Sequence, residues 1–176
     1  MRIGLTGTQS VGKSTLVDSL RTIKEFDKYE FQTERSKYLR DLGIPLNTDS
    51  TLKGQIVFLA ERASELFKEN IITDRSIIDV MAFTESAKSM VRKEKNAFLE
   101  AASLLLPQYD HIIYIPHDGI KLEHNGVRTT DVTYRDIIDE NIRKLLKKYK
   151  HLIKNIHIVQ GTNEERIEKM KEIIFM

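Results

Sequence analysis

A nine-residue segment near the start of the chain constrains the fold more than any other part of the sequence. Residues 7–15 have glycine, four intervening residues and then Gly-Lys-Ser, and they connect an apolar strand-like segment to a helical pattern. The glycines let the backbone curl so that its N–H groups face phosphate oxygens, and the helix N-terminus adds positive potential. The pattern predicts a phosphate-binding loop formed by Gly7, Thr8, Gln9, Ser10, Val11, Gly12, Lys13, Ser14 and Thr15.

Two side chains of this loop carry specific chemistry. Lys13 is expected to reach the β- and γ-phosphates of ATP from a surface cleft rather than from the core. Ser14 supplies a hydroxyl for Mg²⁺, because a hard ion that is already bound to phosphates needs only one or two protein oxygens. The loop therefore predicts ATP and Mg²⁺ as cofactors.

A second set of polar residues follows the apolar run at residues 71–73. In a doubly wound sheet, ligands lie at the carboxyl ends of the strands. Asp74 is therefore a candidate for holding Mg²⁺, one of its waters or Ser14, and Arg75 is a candidate for contacting a transferring phosphate. An Asp-Arg turn on the protein surface is the alternative.

Strand-like segments alternate with helical patterns along the chain, which is typical of a parallel sheet covered by helices. We predict a single domain over residues 1–176, and a break in the fourth helix at residues 93–96, where charges interrupt the apolar period. Residues 116–132 contain glycine and few apolar side chains, which favours an exposed loop or hairpin. The predicted strands are residues 3–6, 29–33, 71–74, 111–115 and 155–160, and the predicted helices are residues 13–24, 34–42, 51–69, 77–106, 133–149 and 164–174.

Composition excludes several classes of site. The absence of cysteine from the sequence excludes disulfides, thiolate metal sites and a cysteine nucleophile. The net charge of +2 is too small to indicate a nucleic-acid partner, and the five histidines lack the spacing of a zinc site. No apolar run has membrane-spanning length, so we expect a cytoplasmic protein without a membrane partner.

The remaining patterns narrow the class of nucleotide-binding protein. The Asp-x-x-Gly switch and the Asn/Thr-Lys-x-Asp guanine reader of GTPases are both missing. AAA-type and ABC motors and helicases need longer cores and a second composite interface, for which 176 residues leave little space. A small kinase is the class that remains.

Four segments in chain order carry a resemblance to a known family. Residues 7–15, 34–38, 72–76 and 125–129 together resemble the P-loop nucleoside and nucleotide kinases that include ribosylnicotinamide kinase domains. The chain is similar, more loosely, to deoxynucleoside and thymidylate kinases. The resemblance implies a three-layer α/β/α fold with a five-stranded parallel sheet in the order 2-3-1-4-5, and it implies that residues 116–132 form a lid.

The resemblance also suggests roles for single residues on the acceptor side. Glu34 resembles the carboxylate beside the acceptor hydroxyl, where it would act as a general base or orient that hydroxyl, although a helix cap is the alternative. Lys37 stands where the family often has arginine, and Tyr38 follows it as a further substrate-binding candidate. Gln55 and Phe58 share a helix face suited to binding a ring, whereas core packing is the alternative for Phe58.

Other residues are assigned to the nucleotide side by the same resemblance. Arg128 in the lid would neutralise transition-state charge when the lid closes. Arg135 either contributes to the same charge neutralisation as Arg128 or is a solvated side chain at the start of a helix. Thr162 and Asn163 follow the last strand where related kinases bind adenine, and an ordinary helix cap is the alternative.

The sequence therefore favours an ATP-dependent kinase that transfers the γ-phosphoryl group to a nucleoside or nucleotide. Ribosylnicotinamide kinase activity is the alternative within the class. A nucleotide-binding switch or ATPase without a metabolite acceptor and a polynucleotide 5′-end kinase are alternatives of other kinds. The base, the sugar, the phosphorylation state of the acceptor and homodimerisation stay open.

Overall fold

The computed structural model describes residues 1–33, 36–118 and 132–176. Within them, five parallel strands form one sheet in the order β2-β3-β1-β4-β5. The strands are β1 (Arg2–Thr6), β2 (Glu30–Gln32), β3 (Ile71–Thr73), β4 (His111–Tyr114) and β5 (Ile156–Ile158). The fold class and the strand order predicted from the sequence are confirmed.

Seven α-helices connect and cover these strands in the described ranges. They are α1 (Lys13–Leu20), α2 (Ser36–Asp41), α3 (Leu52–Glu65), α4 (Ile77–Ser86), α5 (Arg92–Ser103), α6 (Val132–Lys148) and α7 (Asn163–Phe175). In these ranges no helix is both long and apolar enough to cross a membrane.

The central strands have apolar residues on both faces because a core lies on each side of the sheet. In β4, Ile112 and Tyr114 pack into the core formed with α3, α4, α5 and α6. Ile113 and the following Ile115 pack into the opposite core, formed with α1 and α7. This arrangement gives the expected three layers, and it places the carboxyl ends of β1, β3 and β4 along one edge.

The strand register brings distant parts of the chain together at that edge. Ile3 of β1 lies opposite Ile72 of β3 on one side and His111 of β4 on the other. Gly4 lies opposite Thr73, so the segment that begins with Asp74 runs beside the end of β1, where the phosphate loop starts.

The predicted break in the fourth helix is wrong in position. Residues 93–96 lie inside α5, and the chain leaves the helical conformation earlier, between Ser86 and Arg92. The charged run stays helical because Lys95 is buried and its Nζ donates a hydrogen bond to the carbonyl of Glu85 at 2.8 Å. The Val91 N–H donates to the Glu94 carboxylate at 3.0 Å, which caps the new helix.

Candidate nucleotide and phosphoryl-transfer site

The loop between β1 and α1 needs glycine at two positions. Gly12 has φ of 84°, in the left-handed region that side chains with a Cβ rarely adopt. At Gly7, an added Cβ would lie 2.5 Å from the carbonyl oxygen of Ile115 at the end of β4. Gly12 is therefore required by the backbone conformation, and Gly7 is required by close packing against Ile115.

Lys13 lies within the loop rather than at an open cleft. Its side chain is buried, and its Nζ donates hydrogen bonds to the carbonyls of Gly7 at 2.6 Å and Thr8 at 2.7 Å. The expectation that Lys13 lies at a surface cleft is wrong, because its ammonium group is buried and donates hydrogen bonds to the first carbonyls of the loop. These contacts place the positive charge inside the curve of the backbone that the motif predicts for phosphate.

Ser14 and Asp74 meet at the carboxyl edge of the sheet. The Ser14 hydroxyl donates a hydrogen bond to Oδ2 of Asp74 at 2.5 Å, and Asp74 is fully buried. The backbone N–H of Asp74 donates to the carbonyl of Gln32 at 2.8 Å, so the end of β2 reaches the same point. A hydroxyl and a carboxylate oxygen match the protein ligands that Mg²⁺ takes beside phosphates and water, so the donor set fits this ion.

Arg75 is buried next to Asp74, which excludes the alternative of an exposed Asp-Arg turn. Its guanidinium carbon lies 5.1 Å from the centre of the Phe83 ring, and the Phe83 ring lies 6.5 Å from that of Tyr134. Burial raises the pKa of the Tyr134 hydroxyl, and the charge of Arg75 opposes this effect. The arginine thus lies against Phe83 of α4, and the Phe83 ring is next to Tyr134 of α6.

Asp79 is a central residue that the sequence analysis did not identify. This fully buried carboxylate accepts hydrogen bonds from the Thr6 hydroxyl at 2.6 Å and the Gly7 N–H at 3.1 Å. It also accepts from the Ser76 N–H at 2.9 Å and lies 3.4 Å from Nη1 of Arg75. One side chain of α4 therefore binds both the start of the phosphate loop and the segment after β3.

A local signal for Asp79 was present in the sequence. Ser76 and Asp79 have the three-residue spacing of a capping box, and both of the reciprocal capping contacts form at the start of α4. The capping pattern predicts a helix start but does not reveal the contacts with Thr6 and Gly7. Those contacts depend on the pairing of β1 with β3.

Besides Arg75, the predicted acceptor-binding residues that the structure describes lie on two helices. Lys37 and Tyr38 are exposed on α2. On α3, both amide hydrogens of Gln55 have acceptors in α4, because Nε2 donates to the Val80 carbonyl at 3.2 Å and to the Thr84 hydroxyl at 2.8 Å. Phe58 is partly buried and packs against the core next to α3, in line with the alternative of core packing.

The residues predicted near adenine form the start of α7. The Thr162 hydroxyl accepts a hydrogen bond from the Glu165 N–H at 3.3 Å, and the Thr162 N–H donates to the Glu165 carboxylate at 2.7 Å. Asn163 donates from Nδ2 to the Ser19 hydroxyl of α1 at 2.8 Å. The alternative of a helix cap is thus present in the structure for Thr162, and contact with adenine stays a prediction for both residues.

Arg166 is a second residue near the loop that the sequence analysis did not assign. It is buried, and its Nη1 donates a hydrogen bond to the carbonyl oxygen of Val11 at 2.6 Å. No local pattern marks it, because the two residues are 155 positions apart.

A family model described as an AAA domain, AAA_28, matches residues 2–166. The chain belongs to this family. The matched region runs from β1 into the first turn of α7 and so contains the phosphate loop, Asp74, Asp79 and Arg166. The family description names a domain and not an activity, and chain length alone argued against an AAA-type motor. A comparison with curated proteins finds no match.

Solved structures of nucleotide-binding proteins share the fold. Deoxyadenosine kinase from M. mycoides with bound dCTP has a TM-score of 0.68 at 19% identity, with 99% of this chain and 98% of that chain covered. A NadR protein in complex with NAD and AMP-PNP has a TM-score of 0.71 at 14% identity, with 97% of this chain and 48% of that chain covered. The YorR protein of Bacillus subtilis in complex with phosphorylated GDP has a TM-score of 0.63 at 18% identity, with 99% and 95% covered.

These comparisons confirm a P-loop domain, and they show that it has the fold of the nucleotide kinases suspected from the sequence. At such identities they establish the fold and not the acceptor. Two predicted site residues, Glu34 on the acceptor side and Arg128 in the lid, lie outside the described residues, as does most of the expected lid. Arg135 is buried in α6, so the alternative of a solvated side chain is wrong.

Proposed function

We propose that this chain is an ATP-dependent kinase that transfers the γ-phosphoryl group to a nucleoside or nucleotide. The observation that carries the proposal is the contact between the Ser14 hydroxyl and the Asp74 carboxylate. It joins the phosphate loop to the end of β3, where a parallel sheet places ligands. Arg75 follows directly, so the two proposed Mg²⁺ ligands and a proposed cation for phosphate lie at one edge.

The phosphate loop would hold the nucleotide through its backbone N–H groups. Lys13 already lies along the loop, and movement of its Nζ from the Gly7 and Thr8 carbonyls to phosphate oxygens would exchange neutral acceptors for charged ones. Ser14 and Asp74 would hold Mg²⁺. When bound, the ion neutralises charge on the β- and γ-phosphates.

The acceptor side of the proposal rests on Arg75 and Glu34. Arg75 is fixed by Asp79 and Phe83, so its guanidinium is pre-positioned for an anionic oxygen. Glu34 follows the end of β2 in the sequence and is proposed to take the proton from the acceptor hydroxyl or to orient it. Lys37, Tyr38, Gln55 and Phe58 remain the proposed substrate-binding residues of α2 and α3.

The nucleotide side includes residues at the lid and at the start of α7. Arg128 is proposed to approach the transferring phosphate when residues 116–132 close, which would couple catalysis to the exclusion of water. Thr162 and Asn163 are proposed to lie near adenine. Their capping contacts already fix the backbone of this loop against α1 and α7.

Related structures support two acceptor classes. The likeness to deoxyadenosine kinase with bound dCTP supports a nucleoside, and the likeness to NadR with NAD and AMP-PNP supports a nicotinamide riboside acceptor as the second candidate. Both candidates would use the same ATP site, and they differ in the base and, for a deoxynucleoside, in the sugar of the acceptor. A cytoplasmic location, where ATP and such acceptors occur together, belongs to the same proposal.

The test is ADP release in the presence of Mg²⁺ and ATP with a panel of nucleosides, nucleoside monophosphates and nicotinamide riboside. We expect acceptor-dependent ADP release that requires Lys13, with Lys24→Ala outside the loop as a matched lysine control. ATP binding without any acceptor-dependent release would favour the switch or ATPase. Transfer to the 5′ ends of nucleic acid strands, with steep salt sensitivity, would favour the polynucleotide kinase.

A further inference from the structure

Arg166 links the last helix to the phosphate loop. Its Nη1 donates to the carbonyl oxygen of Val11 at 2.6 Å, and its side chain is buried between α7 and the loop. Burial lowers the pKa of the guanidinium group, which nevertheless remains protonated at neutral pH. A charged side chain therefore donates a hydrogen bond to one backbone carbonyl within the motif.

The carbonyl of Val11 belongs to the same peptide unit as the N–H of Gly12. The described residues contain no cis peptide bond, and in a planar trans peptide the carbonyl and the N–H point in opposite directions. Holding the carbonyl toward α7 therefore turns the Gly12 N–H away from α7. In this motif, backbone N–H groups on the inner side of the loop bind phosphate oxygens.

Glycine leaves this peptide unit free to rotate unless something holds it. Gly12 lies at φ of 84° and, lacking a Cβ, tolerates either sign of φ at small cost. The same position is close to Arg166, since a Cβ on Gly12 would lie 3.0 Å from Nη1. The guanidinium group thus lies against the part of the loop that is least restricted by its own sequence.

We propose that Arg166 is a positioning residue that holds the Val11–Gly12 peptide with the Gly12 N–H directed at the polyphosphate of the bound nucleotide. The inference rests on the proposed function, because it requires the loop to bind ATP. It adds a residue from the far end of the chain that acts on the phosphates through the backbone. Its effect is independent of the base and of the acceptor.

Inorganic tripolyphosphate separates this role from contact with the nucleoside, because it has phosphates and no base. The experiment measures dissociation constants of Mg²⁺-tripolyphosphate and Mg²⁺-ATP by calorimetric titration. The variants are Arg166→Met, which keeps bulk without a donor, and Arg166→Lys, which keeps the charge and a donor. Lys169→Met on the same helix is the control, because Lys169 is exposed and pairs with Glu172 at 2.6 Å.

We expect Arg166→Met to weaken both ligands alike, by about tenfold, as for a lost charge-assisted hydrogen bond. Arg166→Lys is expected to recover part of the affinity, and the control to bind like the wild type. Arg166→Gln is a second variant without the contact, because its shorter side chain does not reach the Val11 carbonyl. It is expected to show the same loss as Arg166→Met, and it replaces Arg166→Met in the experiment if that variant does not fold.

Two outcomes would overturn the proposal. Loss of ATP binding with unchanged tripolyphosphate binding would place Arg166 at the nucleoside, and unchanged binding of both ligands in folded Arg166→Met or Arg166→Gln would leave it without a role. Failure of the proposed ATP site gives a different result, since the wild-type protein would then bind neither ligand. Failure of transfer to an acceptor alone would appear as missing acceptor-dependent ADP release, with the binding constants of the variants unaffected.

Discussion

Replacing Asp79 with asparagine tests whether one buried carboxylate holds the two halves of the site together. In the wild type, Oδ2 accepts from the Thr6 hydroxyl and from the Ser76 N–H and hydroxyl. Oδ1 accepts from the Gly7 N–H and pairs with Arg75. Asparagine has the same shape, but it replaces one acceptor oxygen with a donor NH₂ group.

The size of the effect follows from the two ways in which the amide can lie. With nitrogen in place of Oδ1, it meets the Gly7 N–H and the Arg75 guanidinium, neither of which can accept. With nitrogen in place of Oδ2, the Thr6 and Ser76 hydroxyls can turn to accept, and only the Ser76 N–H loses its acceptor. We therefore expect the second orientation.

In that orientation, one buried N–H left without an acceptor costs about 1–3 kcal/mol, and loss of the charge opposite Arg75 adds to this. The predicted decrease in the free energy of unfolding is about 2–4 kcal/mol. Urea unfolding at neutral pH measures it, with the slope m unchanged if only stability has altered.

Asp18→Asn serves as the matched control, because Asp18 is exposed and lies 3.9 Å from Arg21. Its stability should stay within about 0.5 kcal/mol of the wild type. A similarly small change in Asp79→Asn would refute the reasoning, since the contacts at Oδ1 and Oδ2 would then contribute nothing that an amide cannot replace.

The remaining predictions concern catalysis and pH. Lys13→Ala should reduce acceptor-dependent ADP release at least about a hundredfold with an unchanged far-UV circular dichroism spectrum, and wild-type turnover would contradict its role. Asp74→Asn should raise the Mg²⁺ concentration needed for half-maximal turnover more than it weakens ATP binding, whereas a loss of thermal stability alone would make Asp74 a structural residue. Arg128→Ala should lower kcat at least about tenfold with little change in the Kd for ATP, and steady-state kinetics beside a binding titration measure both. Burial lowers the pKa of His111 and of His157 from the ordinary 6.5, so below about pH 6.5 the unfolded chain binds protons that the folded chain does not. Stability should therefore fall as the pH decreases from about 6.5, and urea midpoints should show a shallower fall once both histidines are replaced by asparagine.

The central part of the fold was predictable because its signals are local. β1, β3 and β4 are short apolar segments buried on both faces, and each was placed to within a residue at either end. The edge strands β2 and β5 are partly exposed and shorter than predicted, since a strand with one neighbour has fewer contacts to extend it. The order of the five strands was predicted from the resemblance to a family and not from the alternation of strand-like and helical segments.

The break between α4 and α5 shows where a prediction from a short stretch of sequence fails. Charges at residues 93–96 interrupt the apolar period, yet Lys95 gains a carbonyl acceptor from the preceding helix. Tertiary contacts of this kind override the periodicity of a short window.

In the candidate site, too, residues that are close in sequence could be predicted and residues that are distant in sequence could not. The phosphate loop is contiguous, so its residues could be named from the sequence. Asp79 and Arg166 could not be assigned to it, because they contact Gly7 and Val11 across 72 and 155 positions. Such contacts exist only once the sheet and α7 have formed.

The position of β1 at the centre of the sheet has a consequence for synthesis of the chain on the ribosome. β1 is made first, yet its partners are β3, with Ile71 opposite Arg2, and β4, with His111 opposite Ile3. At about 5–20 residues per second, the first partner emerges several seconds later and the second later still. During that interval β1 lacks both of its partner strands, so the edge of the sheet that carries the phosphate loop can assemble only after residues 111–114 have been translated.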